Sequence, residues 1–103
     1  MAIIGVDLGG TKVAAALYDQ SGTMFSKEVK LLNGAEGEAV GQLVVEVINT
    51  LISNNPDQTI EAVGICVPGI VYSKKDTVWA PNIPGWDNFP LKQRTKAGLN
   101  RSD

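Results

Sequence analysis

Ile3-Ile4-Gly5-Val6-Asp7-Leu8-Gly9-Gly10-Thr11-Lys12-Val13-Ala14-Ala15-Ala16-Leu17-Tyr18 decides how this chain folds. An apolar run, a Gly-Gly break and a second apolar run read as two strands joined by a tight turn. Asp19-Gln20-Ser21-Gly22 turns the chain again. Thr23 to Lys30 partly alternates apolar and polar residues, as a half-buried strand does. Three strands joined by short turns predict an antiparallel meander.

The period then changes. Val40, Leu43, Val44, Val47, Ile48, Leu51 and Ile52 recur at helical spacing. They predict an amphipathic helix from about Glu36 to about Ser53. Glu36 and Glu38 suit its first turn, where acids favour the helix dipole. Gly41 weakens it slightly, and Asn54-Asn55-Pro56-Asp57 stops it. Ile60 to Val67 reads as another buried strand, with Cys66 inside it and without chemistry. Ile70-Val71-Tyr72 and Thr77-Val78-Trp79 flank a small hairpin. Ala80 to Asp87 is a Pro/Gly-rich loop, and Leu91 to about Ala97 suits a short basic helix. A right-handed crossover places the fourth strand beside the first. The expected architecture is α/β: a mixed sheet in order 3-2-1-4, one main helix and a small hairpin. One sheet face has no evident cover.

Composition narrows the function. The chain has 103 residues, 44% hydrophobic and 19% charged, with a net charge of −2. That is one small domain. Nine Lys and Arg against eleven Asp and Glu leave no electrostatic footprint for nucleic acid. No apolar run approaches the roughly 20 residues of a membrane span, and the first residues do not resemble a secretion signal. We therefore expect no nucleic acid or membrane partner and a cytoplasmic location. With no His and one Cys, the chain holds neither a Ser-His-Asp triad nor a Cys-rich zinc site.

Three segments carry candidate chemistry. In Asp7-Leu8-Gly9-Gly10-Thr11-Lys12, bare glycine backbone can approach a phosphate closely. Thr11 adds a hydroxyl and Lys12 a positive charge. Asp7 can hold Mg²⁺ directly or through water. The order Thr-Lys, with no helix following, excludes a Walker A loop. The same residues also suit a plain hairpin turn. Val67-Pro68-Gly69 ends the fourth strand, which should run parallel to the first, so both strand ends open onto one edge. Taken alone, the segment is better explained as a simple strand-ending turn. In Pro81-Asn82-Ile83-Pro84-Gly85-Trp86, Asn82 offers a donor and an acceptor suited to a sugar hydroxyl, and Trp86 can form a wall. A rigid loop packed by its prolines and Trp79 is the alternative.

Together, Ile4-Gly5-Val6-Asp7-Leu8-Gly9-Gly10-Thr11-Lys12, Gly64-Ile65-Cys66-Val67-Pro68-Gly69 and Ala80-Pro81-Asn82-Ile83-Pro84-Gly85-Trp86 resemble the start of a ROK-family protein (repressors, open reading frames and sugar kinases). The resemblance implies the N-terminal half of the actin-like, hexokinase-like ATPase fold, which is related to ribonuclease H. It implies a kinase moving the ATP γ-phosphoryl group to a hexose or N-acetylhexosamine, with Mg²⁺ balancing charge. Asp7, Gly9, Gly10, Thr11 and Lys12 would form the first phosphate-binding loop. Gly69 and Asn82 would lie against the sugar.

The family's Asn-Asp-Ala-like segment with the catalytic Asp, its Cys/His zinc segment and its second domain have no counterpart in this sequence. Asp103 lacks the flanking residues, so no catalytic residue is assigned. We expect residues 1–92 to be an incomplete ROK N-terminal domain and 93–103 a divergent tail, through a premature stop, a frameshift near Arg94 or excision. The first strand leaves no room for a preceding helix-turn-helix, which favours the kinase branch. The isolated chain should be inactive. The competing expectation is a non-catalytic remnant that binds or assembles, pairing with itself or with the missing half through its open sheet face.

Overall fold

The computed structural model describes residues 2–67 and 69–99. Pro68 of the second segment and residues 100–103 of the expected tail lie outside them. Strands β1 (Ala2–Leu8), β2 (Lys12–Tyr18) and β3 (Met24–Leu31) form the meander. Helix α1 (Glu38–Ser53) carries the chain to β4 (Ile60–Cys66), which lies parallel to β1. The sheet order is β3-β2-β1-β4, as the strand pattern predicts. A separate hairpin, β5 (Ile70–Tyr72) and β6 (Thr77–Trp79), is followed by helix α2 (Leu91–Leu99). No helix among the described residues is long and apolar enough to cross a membrane.

The core lies between one sheet face and α1. Ile4, Leu8, Val13 and Leu17 meet Val40, Val44, Val47, Ile48 and Leu51, all fully buried. Each such side chain contributes about 1.5–3 kcal/mol on burial. That face drives α1 to form, since its first residue has no side-chain cap. Asn55 Nδ2 donates to the Leu51 carbonyl at 2.8 Å and closes the last turn. The ring of Phe89 sits directly over Gly41; a Cβ there would come within 2.7 Å of its Cζ atom. The glycine that weakens the helix therefore makes room for the following loop to dock.

The opposite sheet face is open. Gly5, Asp7, Ala14, Ala16 and Gly64 share it by register, together with the exposed Ile3, Val29 and Leu31.

Three expectations change in detail. Helix α1 starts at Glu38, because Gly37 takes φ +52° at the cap, so Glu36 precedes the first turn. Strand β4 is half-buried on one face only, and Cys66 is exposed because it lies beside Asp7 on the open face. The wall of the Pro/Gly-rich loop is Trp86, 1% exposed, whereas Trp79 is 37% exposed. Trp86 thus packs the interior and presents no face to a ligand. Helix α2 runs from Leu91 to Leu99, where the short basic helix is expected, burying Leu91 and Thr95 and setting Gly98 against Val45 of α1.

Candidate functional site

The turn between β1 and β2 is held by two backbone bonds. Gly9 N–H donates to the Lys12 carbonyl at 2.9 Å, and Leu32 N–H to the Thr11 carbonyl at 2.9 Å. Gly10, Thr11 and Lys12 are exposed at its tip. Neither Gly9 nor Gly10 has a positive φ; the glycines that do are Gly22, Gly34, Gly37 and Gly85. A Cβ on Gly9 would meet only the Lys12 carbonyl at 3.4 Å, and one on Gly10 only Asn82 Cβ at 3.5 Å, both ordinary contacts. The turn could therefore be built with side chains at both positions. Asp7, on the last turn of the pleat before the tip, is exposed on the open face, and its register places it between Ala14 and Cys66. Lys12 shares that face, since residues two apart on β2 point the same way.

The loop from Ala80 to Trp86 is held rigidly over this turn. Ala80 N–H donates to the Trp86 carbonyl at 2.9 Å, Ile83 N–H to Ala80 at 3.0 Å and Trp86 N–H to Ile83 at 3.2 Å. Ile83 and Trp86 are buried anchors, with Trp86 stacked on Phe89 at 4.2 Å between ring centres. Trp86 Nε1 donates to the Gly37 carbonyl at 2.9 Å, while Gly37 N–H donates to the Pro84 carbonyl at 2.8 Å. The loop and the start of α1 therefore fix one another. Asn82, exposed just before the Ile83 anchor, is thereby placed against Gly10.

Gly69 is the third element. A Cβ on it would stand 1.9 Å from the Trp79 carbonyl oxygen and 2.9 Å from Ala80 Cα. Gly69 thus packs backbone to backbone against the strand end that leads into the Asn82 loop. The structure brings together the Gly9-Gly10-Thr11-Lys12 turn and Asn82 directly. Gly69 joins them through Trp79 and Ala80.

The metal expectation rests on Asp7 alone. Among the described residues no group of three or more His, Cys, Asp or Glu is placed to hold a metal. One carboxylate still fits Mg²⁺, which keeps several waters and takes further ligands from phosphate. Sequence reasoning passed over Thr95, whose hydroxyl is buried without a partner. Its spacing of four from Leu91 was the available signal.

The ROK family model matches residues 3–102. The chain is 36% identical over 95 residues to a glucokinase of Streptomyces coelicolor, covering 91% of this chain and 28% of that one. It is 28% identical over 99 residues to a xylose repressor of Bacillus spizizenii, covering 94% of this chain and 26% of that one. Among solved structures it resembles a ROK hexokinase from Thermus thermophilus, with TM-score 0.86 and 31% identity, over 98% of this chain and 33% of that one. A ROK glucokinase from Streptomyces griseus, in complex with glucose and AMPPNP, matches with TM-score 0.84 and 31% identity, over 98% of this chain and 31% of that one. The chain thus spans about a third or less of each. Its fold is that part of the actin-like ATPase architecture which holds the β3-β2-β1-β4 sheet. With nearly its whole length matched by one family model, the chain belongs to the ROK family.

Proposed function

We propose that this chain carries the first phosphate-binding turn and part of the sugar site of an ATP-dependent kinase acting on a hexose or N-acetylhexosamine. One observation carries this: Gly9 and Gly10 need no glycine for φ or for local space, yet they form the turn whose exposed Gly10 lies against Asn82. Bare backbone at such a tip suits close approach by a phosphate. In support, the similar Streptomyces griseus protein was solved with glucose and AMPPNP, and an N-acetyl-D-glucosamine kinase of Salmonella paratyphi A is 31% identical over 104 residues.

The roles follow from the chemistry of each group. Gly10 and Thr11 N–H groups and the Thr11 hydroxyl donate to phosphate oxygens. Lys12 adds positive charge beside them. Asn82 donates to and accepts from a sugar hydroxyl, and Gly69 keeps the wall below it thin. Asp7 would hold Mg²⁺ through one oxygen, directly or through water, and the ion would offset phosphate charge. No residue of the described chain stands as a positioned base for the sugar hydroxyl. Binding without turnover is therefore the expected behaviour of the 103 residues alone, in the cytoplasm where ATP is supplied.

A second reading, a non-catalytic ROK domain that binds or assembles, is favoured by the open sheet face with Ile3, Val29 and Leu31 exposed. A coupled ATP-to-ADP assay with Mg²⁺ and a panel of hexoses and N-acetylhexosamines, beside a binding measurement with AMPPNP, separates the readings. Binding without turnover supports the kinase part. Neither binding nor turnover supports the non-catalytic domain.

A further inference from the structure

Asn33-Gly34 is the one Asn-Gly pair in the chain, in the connection from β3 to α1. Asn33 has φ +50° and Gly34 φ +77°. Ala35 N–H donates to the Leu32 carbonyl at 2.9 Å. Positive φ at both central residues, with that closing bond, makes a type I′ turn, which Asn-Gly favours. The turn adjoins the candidate site: the N–H of the same Leu32 donates to the Thr11 carbonyl at 2.9 Å.

Asn33 and Gly34 are both exposed. Neither the Asn33 side-chain amide nor the Gly34 N–H has a hydrogen-bond partner among the described residues. A Cβ on Gly34 would meet nothing within 4 Å. Asn33 Cγ is therefore an accessible electrophile, and the Gly34 nitrogen, with no side chain beside it, an accessible nucleophile. The other described Asn residues lack this combination. Asn54 and Asn55 donate through Nδ2 to Glu28, Ser26 and the Leu51 carbonyl. Asn49, Asn82 and Asn88 precede Thr, Ile and Phe.

We propose that Asn33-Gly34 is a self-modifying turn, which converts to aspartate and isoaspartate and so loosens the β1–β2 turn as the chain ages. The Gly34 nitrogen gives its proton to hydroxide and attacks Asn33 Cγ. The new N–Cγ bond closes a succinimide ring. The Cγ–Nδ2 bond breaks, and Nδ2 takes a proton from water and leaves as ammonia. Water then opens the ring. Addition at Cγ gives aspartate; addition at the main-chain carbonyl gives isoaspartate, whose main chain runs through Cβ and Cγ. The net change is a water taken up and an ammonia released. Both products bring a negative charge to residue 33. Isoaspartate also adds a methylene to the main chain, so the closing bond from Ala35 is lost. The lengthened turn no longer holds Leu32 against Thr11.

The test ages the folded 103-residue chain in mildly alkaline buffer. A glutamyl endopeptidase then cuts after Glu28 and Glu36 and frees residues 29–36, where Asn33 is the sole Asn. Mass spectrometry with electron-transfer fragmentation reads conversion and tells isoaspartate from aspartate. Asn82 and Asn88 serve as references within the same sample. Asn33 should convert about tenfold or more faster than either, because each of those precedes a residue with a Cβ. Amide exchange at Leu32 should be about tenfold faster in the isoaspartate form, isolated by ion exchange, than in fresh chain. Three results would overturn the proposal. Asn33 could convert no faster than Asn82. The folded chain could convert more than about tenfold slower than the same chain in urea, which would mean that the turn shields the pair. Leu32 exchange could be unchanged in the isoaspartate form.

Discussion

Gly10 and Asn82 stand against each other across the candidate site: a Cβ on Gly10 would lie 3.5 Å from the Cβ of Asn82. They belong to the first and last of the three segments, and two buried anchors, Ile83 and Trp86, hold the Asn82 loop in place. Because 3.5 Å is an ordinary contact, Gly10→Ala should change stability by no more than about 0.5 kcal/mol. The added methyl would sit where a phosphate oxygen needs the backbone. AMPPNP affinity should fall by about tenfold, or about 1.4 kcal/mol. Urea denaturation and calorimetric titration of the same variant measure the two effects separately. Equal affinity in the variant would reduce the turn to a hairpin with incidental glycines.

Gly69 should behave in the opposite way. Its Cβ position lies 1.9 Å from the Trp79 carbonyl oxygen, where backbone must move. Gly69→Ala should destabilise by about 1–3 kcal/mol, the range for forced overpacking. The change would also shift Asn82, because Trp79 and Ala80 lead directly into its loop. Urea midpoints with unchanged slopes would measure it; an unaltered midpoint would mean that Gly69 does not pack as described.

Much of this arrangement is legible in the amino-acid order. The meander, the helix and the 3-2-1-4 order follow from apolar periodicity, turn residues and crossover handedness, which are local signals. The errors arise where burial depends on a neighbour distant in sequence. Cys66 looks interior because its strand is apolar, but it lies beside Asp7 on the open sheet face and the thiol is exposed. Trp79 and Trp86 are both aromatic residues near prolines, and only the contacts with Gly37 and Phe89 decide which is buried. The approach of Asn82 to Gly10 has no local signature at all. It requires α1, the hairpin and the loop to be in place together.

Thr95→Val should stabilise the isolated chain by about 1 kcal/mol, because it removes a buried hydroxyl that lacks a partner. The two side chains have nearly equal volume and helix propensity. Thermal unfolding followed at 222 nm reads the change. A loss of stability would show that the hydroxyl is satisfied in solution.

The turn between β2 and β3 should be sensitive to acid. Asp19 accepts from Ser21 N–H at 2.9 Å, Ser21 Oγ at 2.6 Å and Thr23 N–H at 3.0 Å. These bonds, the Ser21 hydroxyl first, hold its pKa below the ordinary carboxylate value. A depressed folded pKa means that the contribution to stability is present above the unfolded value and is lost as pH falls through the folded one. Carboxyl NMR titration should show Asp19 ionising at lower pH than an ordinary aspartate, and Asp19→Asn should remove that acid dependence of the turn. An unshifted titration would contradict the bonding pattern.

The central claim is that the β1–β2 turn and Asn82 form one corner for a nucleotide phosphate and a sugar. The most direct measurement is an NMR titration of the isotope-labelled chain with Mg²⁺ and AMPPNP, followed by glucose. The account predicts that the amides of Gly9, Gly10, Thr11 and Lys12 move with the nucleotide, and that the side-chain amide of Asn82 moves when sugar is added. Shifts confined to β5, β6 or α2, or no shifts at millimolar ligand, would contradict it.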